Sequence, residues 1–145
     1  MTDRPVIISA CLLGLRTRYD GTGARSEEAI AAVKGRAFIP VCPEQLGGMP
    51  TPRPCAWIEK GDGADVLSAT STIIDTNGVD VTGRFVAGAE AVLQIARLTG
   101  ATEAFLKEKS PSCGVSSIKR GMDVISGSGV TATMLKETGI AVRGF

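Results

Sequence analysis

Three short apolar runs, each followed by a cysteine, constrain this chain more than anything else in it. Val6-Ile7-Ile8-Ser9-Ala10 runs into Cys11, and Phe38-Ile39-Pro40-Val41 runs into Cys42. Ala104-Phe105-Leu106 leads through Lys107-Glu108-Lys109-Ser110-Pro111-Ser112 to Cys113 and Gly114. Each run is too short for a helix and is continuous rather than alternating, the pattern of a strand buried on both faces. Such strands belong to parallel sheets, whose crossovers cover both faces with helices.

The segments between the runs supply those helices. Ser26 is a good N-cap, with Glu27 and Glu28 in the first turn, Ala29, Ile30 and Val33 on one face and Gly35 as the stop. Phe85, Ala89, Val92, Leu93 and Ala96 make an apolar stripe at helical spacing that Gly100 closes, and Thr82 reads as its cap. Val130 to Thr138 is a third helix, ended by Gly139, and Ile140-Ala141-Val142 a last strand. Ile73-Ile74-Asp75, Asn77-Gly78 and Val79-Asp80-Val81 read as a small β-hairpin. Gly121 to Gly129 reads as loop. So does Cys42 to Cys55, where Pro43, Gly47, Gly48, Pro50, Pro52 and Pro54 argue against any regular element. Cys11 to Gly23 is a third loop, punctuated by Gly14, Asp20-Gly21 and Gly23. The expectation is a single α/β domain over residues 1–145, with a mostly parallel, Rossmann-like sheet flanked by helices and a small β-hairpin.

In an open parallel sheet, ligands sit outside the carboxyl ends of the strands. Cys11, Cys42 and Cys113 each follow such an end, so a parallel sheet brings three thiols to one rim although no C-x-x-C occurs. The chain of 145 residues has no histidine, which removes Cys-His dyads and every Cys/His zinc site. Its net charge of +1 is no footprint for nucleic acid. No apolar run approaches a membrane span and no leader pattern precedes the first strand, so a cytoplasmic protein with reduced thiols is expected. Three thiolates without histidine suit a soft metal. Structural zinc asks for a fourth protein ligand, whereas an iron–sulfur cluster on three cysteines keeps one iron open. A phosphatase-type loop would need C-x₅-R after Cys11, and Arg16 and Arg18 flank that position without filling it.

Several separated motifs resemble one family. They are Ser9-Ala10-Cys11-Leu12-Leu13-Gly14, Arg18-Tyr19-Asp20-Gly21, Pro40-Val41-Cys42-Pro43-Glu44, Gly47-Gly48-Met49-Pro50-Thr51-Pro52-Arg53-Pro54, Asp80-Val81-Thr82, Lys107 with Ser110-Pro111-Ser112-Cys113-Gly114, and Gly129-Val130-Thr131-Ala132. Together they resemble the DUF523 family, whose best understood members are iron–sulfur-dependent 2-thiouracil desulfurases. The resemblance implies a [4Fe–4S] cluster on Cys11, Cys42 and Cys113, with Glu44 and Ser110 in catalysis. It also implies a small thiolated pyrimidine as substrate, whose C=S carbon is hydrolysed without net redox change. Asp20, Arg53 and Ser112 are candidate substrate contacts, Arg53 with a loop-fixing ion pair as the competing role. Cys55 stands where the family usually has another residue, and reads as a spare thiol rather than a ligand. The alternative to an enzyme is an iron–sulfur or sulfide carrier, or a metal sensor.

Overall fold

The computed structural model describes residues 4–145. The expectation that the N-terminus runs straight into a strand falls partly on residues 1–3, outside the described residues. The elements in order are β1 (Val6–Ser9), a 3₁₀ turn (Ala10–Leu13), α1 (Glu27–Val33), β2 (Phe38–Val41), α2 (Pro43–Leu46), β3 (Ala56–Ile58), α3 (Gly63–Leu67), β4 (Ile73–Asp75), α4 (Thr82–Thr99), β5 (Glu103–Leu106), β6 (Ser117–Arg120), β7 (Asp123–Ser126), α5 (Val130–Glu137) and β8 (Ala141–Gly144).

The main sheet has the order β2-β1-β5-β8, and every pair in it is parallel. Val6, Ile7 and Ile8 are all fully buried, as a central strand requires. Alternation along the strands builds two cores. Ile7, Ala104 and Leu106 pack with Val92, Ala96 and Leu135 of α4 and α5 on one face. Val6, Ile8 and Phe105 pack with Ala29 and Val33 of α1 on the other. A third cluster joins Phe85 and Ala89 to Ile58, Ile73, Ile118 and Val130, and so ties two small antiparallel sheets, β3–β4 and β6–β7, to the main body. No helix among the described residues is long and apolar enough to cross a membrane.

Five local expectations are corrected. β2 is an edge strand with exposed Phe38 and Pro40, so it is not buried on both faces. Pro40 is tolerated there because an edge has ladder positions to spare. The Cys42–Cys55 segment contains α2, because Pro43 occupies the first helical position, where its missing N–H costs nothing. The Asn77-Gly78 turn exists, but β4 takes β3 as its partner and keeps only one bridge, Ile74 to Asp80, across the turn. Thr82 lies inside α4, and its hydroxyl accepts the Ile73 N–H at 2.8 Å instead of capping the helix. The 121–129 segment is likewise not all loop: β6 and β7 pair across Gly121-Met122.

α2 reaches its place through glycines. A Cβ on Gly88 of α4 would lie 1.9 Å from the Pro43 carbonyl oxygen, and one on Gly47 would lie 2.0 Å from that of Arg84. The two helices therefore touch backbone to backbone, which fixes α2 against the core at the end of β2.

Candidate active site

The sheet order places β1 between β2 and β5, so the connections leaving the two sides of β1 diverge at its carboxyl end. That is the position of a ligand crevice in a doubly wound sheet. Ser9 is in register with Val41 across β1 and β2, and the Lys107 N–H donates to Ser9 Oγ at 3.0 Å, which joins the ends of β1 and β5. Cys11 lies on the 3₁₀ turn directly after β1. Its carbonyl accepts the Gly14 and Ala24 N–H groups at 3.0 and 2.9 Å, so the turn is closed on itself. Cys42 is the N-cap of α2. Cys113 sits in a turn built by Ser110, whose Oγ accepts the N–H of Ser112 at 3.2 Å and of Cys113 at 3.0 Å. Gly114 follows because a Cβ there would meet the Ser117 carbonyl at 2.1 Å.

Glu44, in the first turn of α2, links these pieces. Its Oε1 accepts from Arg53 Nε at 2.9 Å and its Oε2 from Ser112 Oγ at 3.0 Å. The guanidinium is almost fully buried, with 3% of its side chain exposed against 16% for Glu44. Arg53 spends its remaining donors on Pro50 O, Thr51 Oγ1, Thr17 O and, at 3.8 Å, Cys42 Sγ. All five guanidinium N–H groups therefore face protein atoms. The hydroxyl directions also follow. A carboxylate only accepts, so Ser112 gives its single proton to Glu44. Ser110 Oγ, 3.0 Å from Ser112 Oγ, must then donate to it, while both its lone pairs take backbone N–H groups. The result is a one-way chain from Ser110 through Ser112 to Glu44.

The thiols share one electrostatic neighbourhood. Burial pushes the Cys11 thiol up to about 11, against the Lys107 ammonium, which pulls it down; Cys42 pushes it further up. Burial pushes Cys113 up to about 12, with Ser9 opposing and the charges of Cys11 and Glu44 adding to the rise. Cys42 donates its thiol proton to Thr17 O at 3.6 Å. Asp20 lies outside this hydrogen-bonded chain. It is exposed and caps a tight turn, accepting Thr22 N–H at 3.1 Å and Thr22 Oγ1 at 2.6 Å, and these bonds hold its carboxyl below the usual range. Its neighbour Tyr19 accepts the Arg53 backbone N–H at 2.8 Å, which ties the two loops together.

Two residues at the site escaped the sequence reading as functional groups. Lys107 is half-buried beside Cys11, and burial lowers its pKa against the pull of the Cys11 charge. Glu108 holds the far side of the Cys113 turn, accepting Val115, Ser116 and Ser117 N–H groups at 2.8, 3.0 and 3.2 Å. Burial alone would raise its pKa, but these bonds together bring it below the usual value. The cluster of hydroxyls after Glu108 was the available signal. Cys55, read from the sequence as a spare thiol, is half-buried, and its thiol is raised by burial and then by the Glu44 charge.

The donor set fits a polynuclear cluster. Soft thiols come from three adjacent strand ends, and two of them are driven so far up by burial that a metal must displace their protons. Among the described residues no three Cys, Asp or Glu side chains are grouped closely enough to hold a metal ion. In a cubane cluster the thiolates sit on separate irons. Thr131 Oγ1, fully buried beside this turn, has no hydrogen-bond partner among the described residues.

Comparison with known proteins identifies the family. Residues 6–144 match the family described as 2-thiouracil desulfurase. The uncharacterized protein YbbK of Bacillus subtilis (strain 168) is 42% identical over 140 residues, which span 94% of this chain and 93% of that protein. The solved structure of a [4Fe–4S]-dependent thiouracil desulfidase, TudS, superposes with a TM-score of 0.81 at 37% identity, covering 97% of this chain and 90% of that one.

Proposed function

This chain belongs to the 2-thiouracil desulfurase family, a family of enzymes, and from that premise we propose that it hydrolyses the C=S group of a thiolated pyrimidine. The overall change is C=S plus water to C=O plus hydrogen sulfide, with no electron gained or lost. Cys11, Cys42 and Cys113 would hold a [4Fe–4S] cluster, which when bound supplies an open, Lewis-acidic iron for sulfur.

The protein's part is to position a base and a proton path. Glu44 is the general base that takes the proton of the attacking water. Each of its oxygens has one protein partner and keeps a free lone pair for that water. Arg53 and Ser112 clamp the carboxylate from two sides, so it meets the attacking water without searching rotamers. Ser110 acts through Ser112: its own lone pairs are occupied, and it fixes the direction of the Ser112 hydroxyl. Lys107 adds positive charge beside Cys11, where the loaded site accumulates negative charge. Asp20 and Arg53 serve the substrate indirectly, by holding the loops that frame the crevice.

The observation that carries this reading is the Glu44 carboxylate held between Arg53 and Ser112, two residues from one thiol and one residue from another along its hydrogen bonds. Glu44→Gln tests it. Loss of a general base lowers turnover by ~10²–10⁴. Anaerobically reconstituted Glu44→Gln should keep its visible absorption and lose 2-thiouracil turnover by that factor. Undiminished turnover would remove Glu44 from the base role.

A further inference from the structure

Thr131 Oγ1 is the one buried side-chain oxygen or nitrogen without a hydrogen-bond partner among the described residues, and its residue is 0% exposed. Three other threonines in or capping helices satisfy their hydroxyls by bonding back to a carbonyl one turn earlier. Thr133 bonds Gly129 O at 2.8 Å, Thr99 bonds Ile95 O at 2.7 Å and Thr138 bonds Met134 O at 3.0 Å. Thr131 stands too early in α5 to do the same, since the residues four and three before it precede the helix. The adjacent carbonyls already accept backbone N–H groups and take nothing from Thr131 Oγ1. Pro111 O accepts the Val130 N–H at 2.9 Å, and Ser112 O accepts those of Thr131 and Ala132 at 2.9 and 3.2 Å.

The hydroxyl's position in the fold is defined by helix geometry. Residues 131 and 135 share a helix face, and helical side chains lean toward the N-terminus. Leu135 and Ala132 pack in the cluster that contains Leu106 and Cys113. Thr131 therefore extends that face toward the carboxyl rim of the sheet, beneath the turn that carries Cys113. A protonated thiol is a poor acceptor, while a metal-bound thiolate or a sulfide is a strong anionic one. Resting on the cluster reading above, we propose that the Thr131 hydroxyl is a hydrogen-bond donor reserved for an anionic sulfur of the loaded site. That sulfur is either the Cys113 thiolate or an inorganic sulfide of the cluster. Thr131 is thus a positioning and tuning residue, silent in the metal-free protein and engaged once the cluster is present.

Thr131→Val, nearly the same shape, and Thr131→Ser, which keeps the hydroxyl, test this in the full-length chain. Metal-free Thr131→Val should unfold in urea at the same or a higher midpoint than wild type, since it removes a polar group that bonds nothing there. After anaerobic reconstitution it should show a more negative cluster reduction potential and several-fold faster bleaching in air, because hydrogen bonds to sulfur favour the reduced cluster. Thr131→Ser should restore both. Resonance Raman with ³⁴S-labelled sulfide separates the two acceptors: the variant shifts either the labelled bridging modes or the unlabelled cysteine–iron modes. A metal-free Thr131→Val less stable than wild type would place the hydroxyl's partner inside the protein and overturn the proposal. So would a loaded variant matching wild type in potential and bleaching rate. Wild type that fails to assemble any cluster would overturn the functional reading and this one together, whereas a loaded wild type beside an unaltered variant would overturn this one alone.

Discussion

Replacing Arg53 by alanine removes five hydrogen bonds at once and separates two readings of that residue. In the structure the guanidinium joins Glu44, Pro50, Thr51, Thr17 and Cys42, so it holds two loops, α2 and one candidate ligand together. Removing one partner of a fully buried ion pair costs about 3–5 kcal/mol. Glu44 retains some access to water, 16% against 3% for Arg53, which moves the expectation to the low end, about 3 kcal/mol. With a urea m-value of roughly 2 kcal/mol/M, the unfolding midpoint should fall by about 1.5 M. Domains are stable by about 5–15 kcal/mol, so the variant still folds at neutral pH. Its carboxylate at position 44 is then free to turn, and reconstituted protein should lose kcat far more than it gains KM. Arg53→Lys should behave much like the alanine variant, because a single ammonium cannot span the same acceptors. The reasoning is refuted if Arg53→Ala keeps the wild-type urea midpoint and kcat while KM alone rises. That result would make the arginine a substrate contact.

Other perturbations follow from the same geometry. Gly88→Ala puts a methyl into the Pro43 carbonyl, costs about 1–3 kcal/mol as overpacking and shifts α2; iron bound per chain should fall, whereas Gly83→Ala, with open space around it, should bind as wild type. Glu108→Gln turns an acceptor of three N–H groups into a mixed donor; amide hydrogen exchange at Val115, Ser116 and Ser117 should speed up, with about 1–3 kcal/mol lost. Alkaline pH should destabilise the metal-free chain. The folded thiols of Cys11 and Cys113 hold their protons to about 11 and 12, while the unfolded chain releases them near 9.0, so stability is full below pH 9 and falls above it. The slope should approach about 1.4 kcal/mol per pH unit for each buried thiol. Cys113→Ala should flatten it, and a flat wild-type profile from pH 8 to 11 would contradict the burial of these thiols.

The parts of the fold legible in the sequence are those that bury a periodic pattern. β1 and β5 were readable because Val6 to Ile8 and Ala104 to Leu106 are continuous apolar runs, and α4 because its stripe repeats at helical spacing. The parts that escaped depend on partners far away in sequence. β3 pairs with β4 only through the packing of Ile58 and Ile73 in a shared cluster, a choice that no local signal announces, so the strong Asn77-Gly78 turn signal pointed to the wrong partner. α2 was hidden because its single turn is set by contact with Gly88 rather than by propensity. At the site, motif resemblance supplied the residue set, and parallel topology gave a reason for distant cysteines to meet. The division of labour was not legible. That Arg53 spends every donor on the protein, and that Ser110 reaches Glu44 only through Ser112, are facts of three-dimensional hydrogen bonding across 68 residues of separation.

The central claim is that three particular thiols carry the cluster. Anaerobic reconstitution with iron and sulfide, followed by iron and sulfide quantification and Mössbauer spectroscopy, tests it on wild type and on four single variants. Wild type and Cys55→Ser should each take up about four irons per chain with a cubane spectrum, one iron being distinct from the others. Cys11→Ser, Cys42→Ser and Cys113→Ser should each lose most of that iron. Full loading of any of these three, or loss of the cluster on Cys55→Ser, would contradict the account.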